Sequence, residues 1–194
     1  MIVKEIIKDC ALLLNREDIS SYLDNGVADD YVTASKDASV LLNAYNLISQ
    51  EISCEYLKLE YVEAFKVKDG KVNFEDFKYT PISIRSVKDK KGNKISYEIE
   101  DGKIYVNFSE IEVSYVYSFD KKGLNDLSGF EFTPITSKIL QYGTVTEFLL
   151  IKGLYEEAAL YNSKYLDGLA SAINKSRSQK VKCREWVWYS IVTI

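Results

Sequence analysis

The sequence predicts an α+β fold, in which a helical bundle carries an inserted antiparallel β meander domain and an extended C-terminal tail. Apolar residues recur at helical spacing over roughly the first 60 residues and again after residue 133. Between them, apolar and polar residues alternate, and the chain ends in aromatic and β-branched residues. We therefore expect residues 1–61 and 119–180 to form the helical core, residues 62–118 the β domain, and residues 181–194 an interaction tail.

Two short helices are predicted at the start of the chain. The first covers residues 2–15, and its apolar positions share one face: Ile2, Ile6, Cys10 and Leu13. The second covers Asp18 to Leu23 and is stopped by Asn25-Gly26, since glycine readily takes the left-handed conformation that ends a helix.

A long helix is predicted next, from Ser35 as the N-cap to about Glu60, with Asp37 favourably placed in its first turn. Its apolar stripe is Leu41, Ala44, Tyr45, Ile48, Ile52, Tyr56 and Leu59.

The β domain is indicated by turn chemistry. Asp69-Gly70 and Asp101-Gly102 each separate two alternating runs, and such pairs favour two-residue hairpins because both turn residues take positive φ. Lys91-Gly92-Asn93 marks a third turn, and Ile111 to Tyr117 is a final alternating strand. The pattern predicts five or six antiparallel strands joined as a meander.

Residues 119–132 are polar, contain two glycines, and are expected to form a loop. Thr133-Pro134 predicts the start of a helix, or of a kinked pair of helices, that runs to about Asn174. Gly143 and Gly153 interrupt it, which predicts close packing or a kink at each. Its apolar positions are Leu140, Val145, Phe148, Leu149, Ile151, Leu154, Ala158, Tyr161, Tyr165, Leu169 and Ile173.

The C-terminal tail follows a polar break expected at residues 176–179. If residues 181–194 alternate as a strand, both faces are largely apolar, and one domain rarely covers both faces of a terminal strand. We therefore expect the tail to dock onto another chain; the alternative is that it completes the core of its own chain. The candidate partner-binding residues are Arg184, Trp186, Trp188, Tyr189 and Ile191.

Composition excludes several kinds of site. The chain has no histidine, which removes the common catalytic triads and most zinc and haem ligand sets. No GxxxxGK[ST] or GxGxxG motif is present, and no CxxC spacing links the three cysteines, which we expect to be reduced, in a reducing compartment. We expect no catalytic residue, no cofactor, no metal and no enzymatic activity. No run of about 18 apolar residues predicts a membrane span, and we see no signal peptide.

The charged residues leave some alternatives open. Residues 1–60 carry five basic and eleven acidic residues, whereas residues 175–194 carry five basic residues and one acidic residue. The basic run at 175–184 is either a nucleic-acid contact or a charged linker. The adjacent carboxylates 29–30, 75–76 and 156–157 are best interpreted as solvated or interface charges. Glu156 and Glu157 cannot both face one substrate, because neighbours on a helix point in different directions. Glu147 is either a buried acid or a residue at the edge of an apolar stripe, or paired with a base.

The high number of tyrosines, 15 in the chain, has two possible explanations. They either serve surfaces that a partner covers or reflect the preference of β-strands for aromatic residues.

Three stretches carry a resemblance to a known family. They are Tyr142 to Phe148, Gly153 to Ala159 together with Tyr161 and Tyr165, and Cys183 to Val187. With the order of helices, β insertion, long helix and basic tryptophan-containing tail, they resemble a tailed-bacteriophage head–tail adaptor, also called a connector or head-completion protein. The similarity of residues is confined to about residues 140–190.

The resemblance implies a structural virion protein, made in the host cytoplasm, that forms a ring, usually of twelve copies, between the portal and the tail. Its partners would be further copies of itself, the portal protein, tail proteins, and double-stranded DNA that passes through the channel without sequence-specific binding. A ring needs a head-to-tail interface, and an acidic N-terminal part and a basic tail suit such a contact.

Two other classes of function remain as hypotheses. One is a phage or prophage regulatory module that binds a protein through the β domain. The other is an enzyme that works with carboxylates alone, which would need a pocket where carboxylates converge.

Overall fold

The computed structural model describes residues 1–26, 30–57 and 59–181, and for 176–181 the backbone alone. Five α-helices and six strands confirm the α+β class. The helices are α1 (Val3–Leu13), α2 (Glu17–Asn25), α3 (Tyr31–Glu51), α4 (Ser137–Ile151) and α5 (Tyr155–Val181). The strands are β1 (Glu60–Lys66), β2 (Lys71–Asn73), β3 (Pro81–Asp89), β4 (Glu98–Glu100), β5 (Lys103–Tyr105) and β6 (Glu110–Tyr117).

The first two helices lie where the sequence placed them. Gly26 ends α2 with φ of 67°, which is the left-handed stop that Asn25-Gly26 predicts. On α1 the predicted stripe is only partly correct. Ile6 and Cys10 are buried, but Ile2 is 46% exposed and Leu13 is 36% exposed, and the helix instead buries Val3, Ile7 and Ala11.

The long helix α3 begins earlier than predicted. Asp30 is its N-cap, and the Asp30 carboxylate accepts a hydrogen bond from the Thr33 backbone N–H. Ser35 as the N-cap is therefore wrong, and Asp37 lies seven residues past the cap rather than in the first turn. After Glu51 the helix widens into π-helical turns over Ile52–Leu57, and most of the predicted stripe is buried.

The predicted C-terminal helix is two helices. Gly153, with φ of 77°, ends α4 and reverses the chain into α5, which confirms one of the two predicted alternatives. Thr136 caps α4 by accepting from the Ile139 N–H, so the predicted start at Thr133-Pro134 is wrong. The α5 backbone continues to Val181 through the predicted break at 176–179, a stretch that contains neither glycine nor proline.

The strands form two three-stranded antiparallel sheets, ordered β1-β6-β3 and β2-β5-β4. Asp101-Gly102 joins β4 and β5 as the predicted hairpin. Asp69-Gly70 takes the same positive-φ turn, but the two strands that it connects do not pair with each other. Strand β1 pairs with β6 in one sheet, and β2 pairs with β5 in the other. The pairing therefore departs from a simple meander.

Two hydrophobic cores result. One lies among the helices, and the other among the strands around Val72, Phe77, Ile104 and Tyr115, while Tyr117 packs against both. The division into domains at residues 61 and 119 stays a prediction.

The predicted loop at 119–132 is packed rather than free. Its carbonyls at Leu124 and Asp126 accept the N–H groups of Lys4 and Val3, which otherwise lack partners at the start of α1. The buried Asn46 side chain accepts the Lys122 N–H at 2.7 Å and donates to the Lys122 carbonyl at 3.0 Å. These bonds fix the loop to α1 and α3.

Candidate subunit interface

The predicted partner-binding residues lie outside the described part of the chain. They are Arg184, Trp186, Trp188, Tyr189 and Ile191. Cys183 and the resemblance at 183–187 lie there too, and the side chains of the basic run from residue 176 onward are not described. The described backbone of α5 nevertheless shows where this segment starts, because the helix ends at Val181.

Helix α5 runs antiparallel to α4 and extends beyond it. A Cβ on Gly168 would lie 3.0 Å from Ile139, near the first turn of α4, so the residues of α5 after this level pass the end of its partner. From residue 173 to Val181 the helix advances about 12 Å further. The tail therefore starts at the end of the bundle where α3 passes into β1.

The opposite end of α4 carries exposed apolar residues, which we call the α4–α5 surface. They surround the turn at Gly153 and are between 41% and 70% exposed: Leu150, Ile151, Leu154, Tyr155 and Leu160. Sequence analysis counted Ile151 and Leu154 among the apolar positions of the predicted helix or helix pair, and both are exposed. Gly153 reverses the chain, so positions on either side of it cannot follow one helical face.

An ion cluster beneath this surface holds the turn. The Asp37 carboxylate on α3 is 2% exposed and lies 2.6 Å from the Lys152 ammonium and 2.6 Å from the Arg16 guanidinium. Lys152 lies between Ile151 and Gly153, and Arg16 precedes α2. Arg16 also pairs with Asp18 at 2.7 Å. The cluster thus ties the α4–α5 turn to α3 and to the α1–α2 connection.

The charge of Asp37 is maintained against its burial. Burial by itself would raise the pKa of Asp37, but the hydrogen bonds from Lys152 and Arg16 together outweigh it and lower the pKa. The hydrogen bonds from Arg16 to Asp18, followed by its bond to Asp37, raise the pKa of Arg16 despite its partial burial. Asp37, Asp18 and Arg16 are therefore charged near neutral pH.

Helix α4 packs closely against α3 and α5 at Gly143. A Cβ on Gly143 would lie 2.9 Å from Ile48 and 3.0 Å from Tyr165, so only glycine lets α4 approach α3 and α5 this closely. The Tyr165 hydroxyl donates to the Glu51 carboxylate at 3.1 Å. The close packing predicted at Gly143 is confirmed.

Further acidic side chains lie near the Tyr165–Glu51 hydrogen bond. Burial, followed by the charges of Glu55 and Glu147, raises the pKa of Glu51, although the Tyr165 hydroxyl partly offsets this. Glu147 is half-buried, and within the described residues it forms no ion pair. It lies at the edge of the buried stripe, as one of its two interpretations expects.

The other chemical candidates do not converge. Glu75, Asp76, Glu156 and Glu157 are exposed. Among residues 1–26, 30–57 and 59–181, no group of three or more His, Cys, Asp or Glu side chains could hold a metal ion. The described helices include none that is long and apolar enough to cross a membrane. Cys10 is buried, which raises the pKa of its thiol, and Cys54 is half-buried and unpaired with Cys10.

Open clefts lie on the β domain. One, of about 450 Å³, is lined by Phe65 and Ile111 together with charged groups of both signs, among them Lys66, Lys90 and Glu110. Lys90 and Glu110 pair with each other at 3.0 Å, so they neutralise one another.

Comparison with known proteins adds no relative. No model of a protein family matches the chain, and no curated protein is significantly similar to it.

Proposed function

We propose that this chain is a structural head–tail adaptor of a tailed bacteriophage, which forms an oligomeric ring between the portal and the tail. The observation that carries the proposal is the α4–α5 surface, where five large apolar side chains near the turn between two close-packed helices are exposed. Such patches on a rigid frame are typical of surfaces that bind another protein. The resemblance of residues 140–190 to adaptor proteins supports the same function.

In the proposed ring, the helical unit forms the wall, and each copy contacts the next through two different surfaces. A head-to-tail contact of this kind closes into a ring when its rotation permits. The net charge of −4 suits a channel wall, because DNA slides past acidic groups more readily than past clustered lysine and arginine. The protein would act by assembly and carry out no reaction of its own.

The C-terminal tail would bind the neighbouring component of the virion. Helix α5 continues for about 12 Å beyond residue 173, which places the start of the tail away from the middle of α4. A dodecameric ring would present twelve such tails to the portal or to the tail proteins.

The α4–α5 surface can be tested with a matched pair of variants. Leu154→Glu places a charge on it, and Ile99→Glu places one on β4, where Ile99 is similarly exposed at 50%. A glutamate at residue 154 precedes α5, where it is favourable for the helix dipole, so the fold should be kept. Light scattering should show loss of assembly for Leu154→Glu alone. Equal assembly of both variants would contradict the proposal.

A protein-binding regulatory module remains a second candidate, because β1 is an edge strand of its sheet among the described residues. The hydrogen bonds from Tyr117 N–H to Leu59 and from Val67 N–H to Ser109 show that odd-numbered residues of this strand bond to β6. The even-numbered residues from Glu60 to Lys66 are exposed and turn their backbone groups outward. An extended peptide could pair there. A protein that stays a 22.2 kDa monomer at every concentration would favour this candidate.

A further inference from the structure

Strand β1 presents a long, regular backbone edge without a partner among the described residues. Its seven residues pair with β6 in an unbroken antiparallel register, and no described segment pairs with its other side. The backbone groups of the even-numbered residues from Glu60 to Lys66 point to that side. A row of unpaired N–H and C=O groups is a template for a further strand.

The other edge strands of the two sheets carry features that discourage pairing. Strand β3 starts at Pro81, which has no N–H, and its register shifts twice. Its far end is covered by residues 93–95, since the Ile95 N–H donates to the Val87 carbonyl. Strands β2 and β4 have three residues each, and two of the three in β4 are exposed glutamates. Proteins protect sheet edges by such means, so the open side of β1 indicates a binding edge.

Both faces of this edge offer apolar neighbours to an added strand. On one face, Val62 is 53% exposed and Ala64 is exposed beside it. On the other face, Tyr61 and Phe65 are half-buried and pack against the hydrophobic core of the strands. A strand added to β1 places its own side chains beside these residues on both faces. The edge therefore fits a segment that is apolar on both faces and contains no proline.

The sequence that follows α5 has these properties. Residues 182–194 contain neither proline nor glycine, and they end in aromatic and β-branched residues, which favour strands. In an alternating strand, Trp186 and Trp188 fall on one face and Tyr189 falls on the other. The tail thus matches the two apolar faces of the β1 edge.

The tail also starts at the end of the helical unit where β1 begins. The Tyr165 hydroxyl bonds to Glu51 at the end of α3, and from there α5 and the π-helical turns continue toward the same end. The 13 residues from 182 to 194 span up to about 43 Å when extended. Pairing along the seven residues of β1 uses about 23 Å, which leaves about 20 Å for the approach.

We propose that the C-terminal tail of each copy adds as a further strand to the open edge of β1 in the same copy. The covalent tether favours this pairing over one between copies, because it keeps the tail at a high effective concentration near β1. An edge strand can leave without unfolding the rest of the sheet, so the docked tail stays available to another chain during assembly. The inference concerns a single copy and does not depend on the proposed ring.

The first experiment uses tryptophan fluorescence, which reports on the tail alone because both tryptophans of the chain lie in it. Val62→Pro removes an N–H that points away from β6, so the β1–β6 pairing is kept while an added strand loses a hydrogen bond. Val62→Ala keeps that N–H and is the matched control.

In dilute full-length protein, the emission of Val62→Pro should shift to longer wavelength and be quenched more by acrylamide, whereas Val62→Ala should behave like the wild type. Far-ultraviolet circular dichroism checks that both variants keep the fold. Equal emission from the two variants would overturn the inference. Wild-type emission that shifts on dilution would assign the tail to another chain and would overturn it too.

The second experiment measures hydrogen exchange by NMR and needs no substitution in β1. The outward amides of Val62 and Ala64 should exchange about tenfold faster, or more, when residues 185–194 are deleted. The amides of Tyr61 and Glu63, which face β6, should exchange at the same rate in both proteins. Equal rates at all four positions would refute the docking. A protein whose tail docks but which never assembles would instead contradict the proposed function and leave this inference intact.

Discussion

Replacing Asp37 by asparagine keeps the shape of a buried side chain and removes its charge, so it isolates the ion cluster beneath the α4–α5 surface. In the native protein, Arg16 and Lys152 each lie 2.6 Å from one oxygen of this carboxylate. Asparagine offers one acceptor oxygen, and its amide N–H₂ faces the second cation. Two positive charges would then share the site without a counterion.

The expected loss of stability follows from how deeply each partner is buried. Removing one partner of a buried ion pair typically costs about 3–5 kcal/mol. Here Arg16 and Lys152 are 30% and 34% exposed, so both can regain water, and Arg16 keeps Asp18. We therefore expect Asp37→Asn to cost about 2–3 kcal/mol. For a chain of 194 residues this lowers Tm by about 4–12 °C.

Chemical and thermal unfolding, followed by circular dichroism at neutral pH, measures the effect. Asp24→Asn is the control, since that carboxylate is 44% exposed and pairs with Lys4 and Lys8 at the surface. Its Tm should stay close to that of the wild type. If Asp37→Asn and Asp24→Asn unfold alike, the cluster does not hold the α4–α5 turn and this reasoning is refuted.

The pH dependence provides a second check on Asp37. Its pKa is lowered in the folded state, so the stabilisation it gives is fully present above the unfolded value of about 4. That contribution disappears as the pH falls through the folded pKa. The difference between the wild type and Asp37→Asn should therefore be constant from about pH 5 to pH 8 and should shrink below about pH 4.

Two further predictions concern helix packing and the tail. Gly143→Ala should destabilise the protein by about 1–3 kcal/mol in denaturant unfolding, because its Cβ would lie 2.9 Å from Ile48 and 3.0 Å from Tyr165; an unchanged midpoint would contradict the close packing. Deleting residues 185–194 should leave Tm unchanged and abolish incorporation into virions, whereas a truncated protein that unfolds would show that the tail belongs to its own core.

The sequence predicts a structural feature correctly where the types of a few neighbouring residues determine it. Asp101 and Gly102 both take positive φ, of 48° and 69°, and their residue types alone predict the hairpin. Asp69 and Gly70 take φ of 53° and 71°, yet the strands beside them separate into two sheets. Turn chemistry fixes the reversal of the chain, while the partner of β1 is a strand 50 residues further along, beyond the reach of a local pattern.

The candidate site was harder to predict for two physical reasons. Helical spacing identifies Ile151 and Leu154 as members of an apolar face but does not say whether that face is covered. Asp37 suits the start of a helix by its charge, and its actual partners, Arg16 and Lys152, lie 21 residues before it and 115 residues after it. The glycine at residue 153, which takes φ of 77°, is the local signal that separates α4 from α5.

Negative-stain electron microscopy of the purified protein, over a series of concentrations, tests the proposed ring most directly. Light scattering on the same samples gives the mass as a multiple of the 22.2 kDa monomer. The account predicts closed particles with cyclic symmetry and a central opening, which the Leu154→Glu variant fails to form. Monomers at every concentration, or symmetric dimers without an opening, would contradict it.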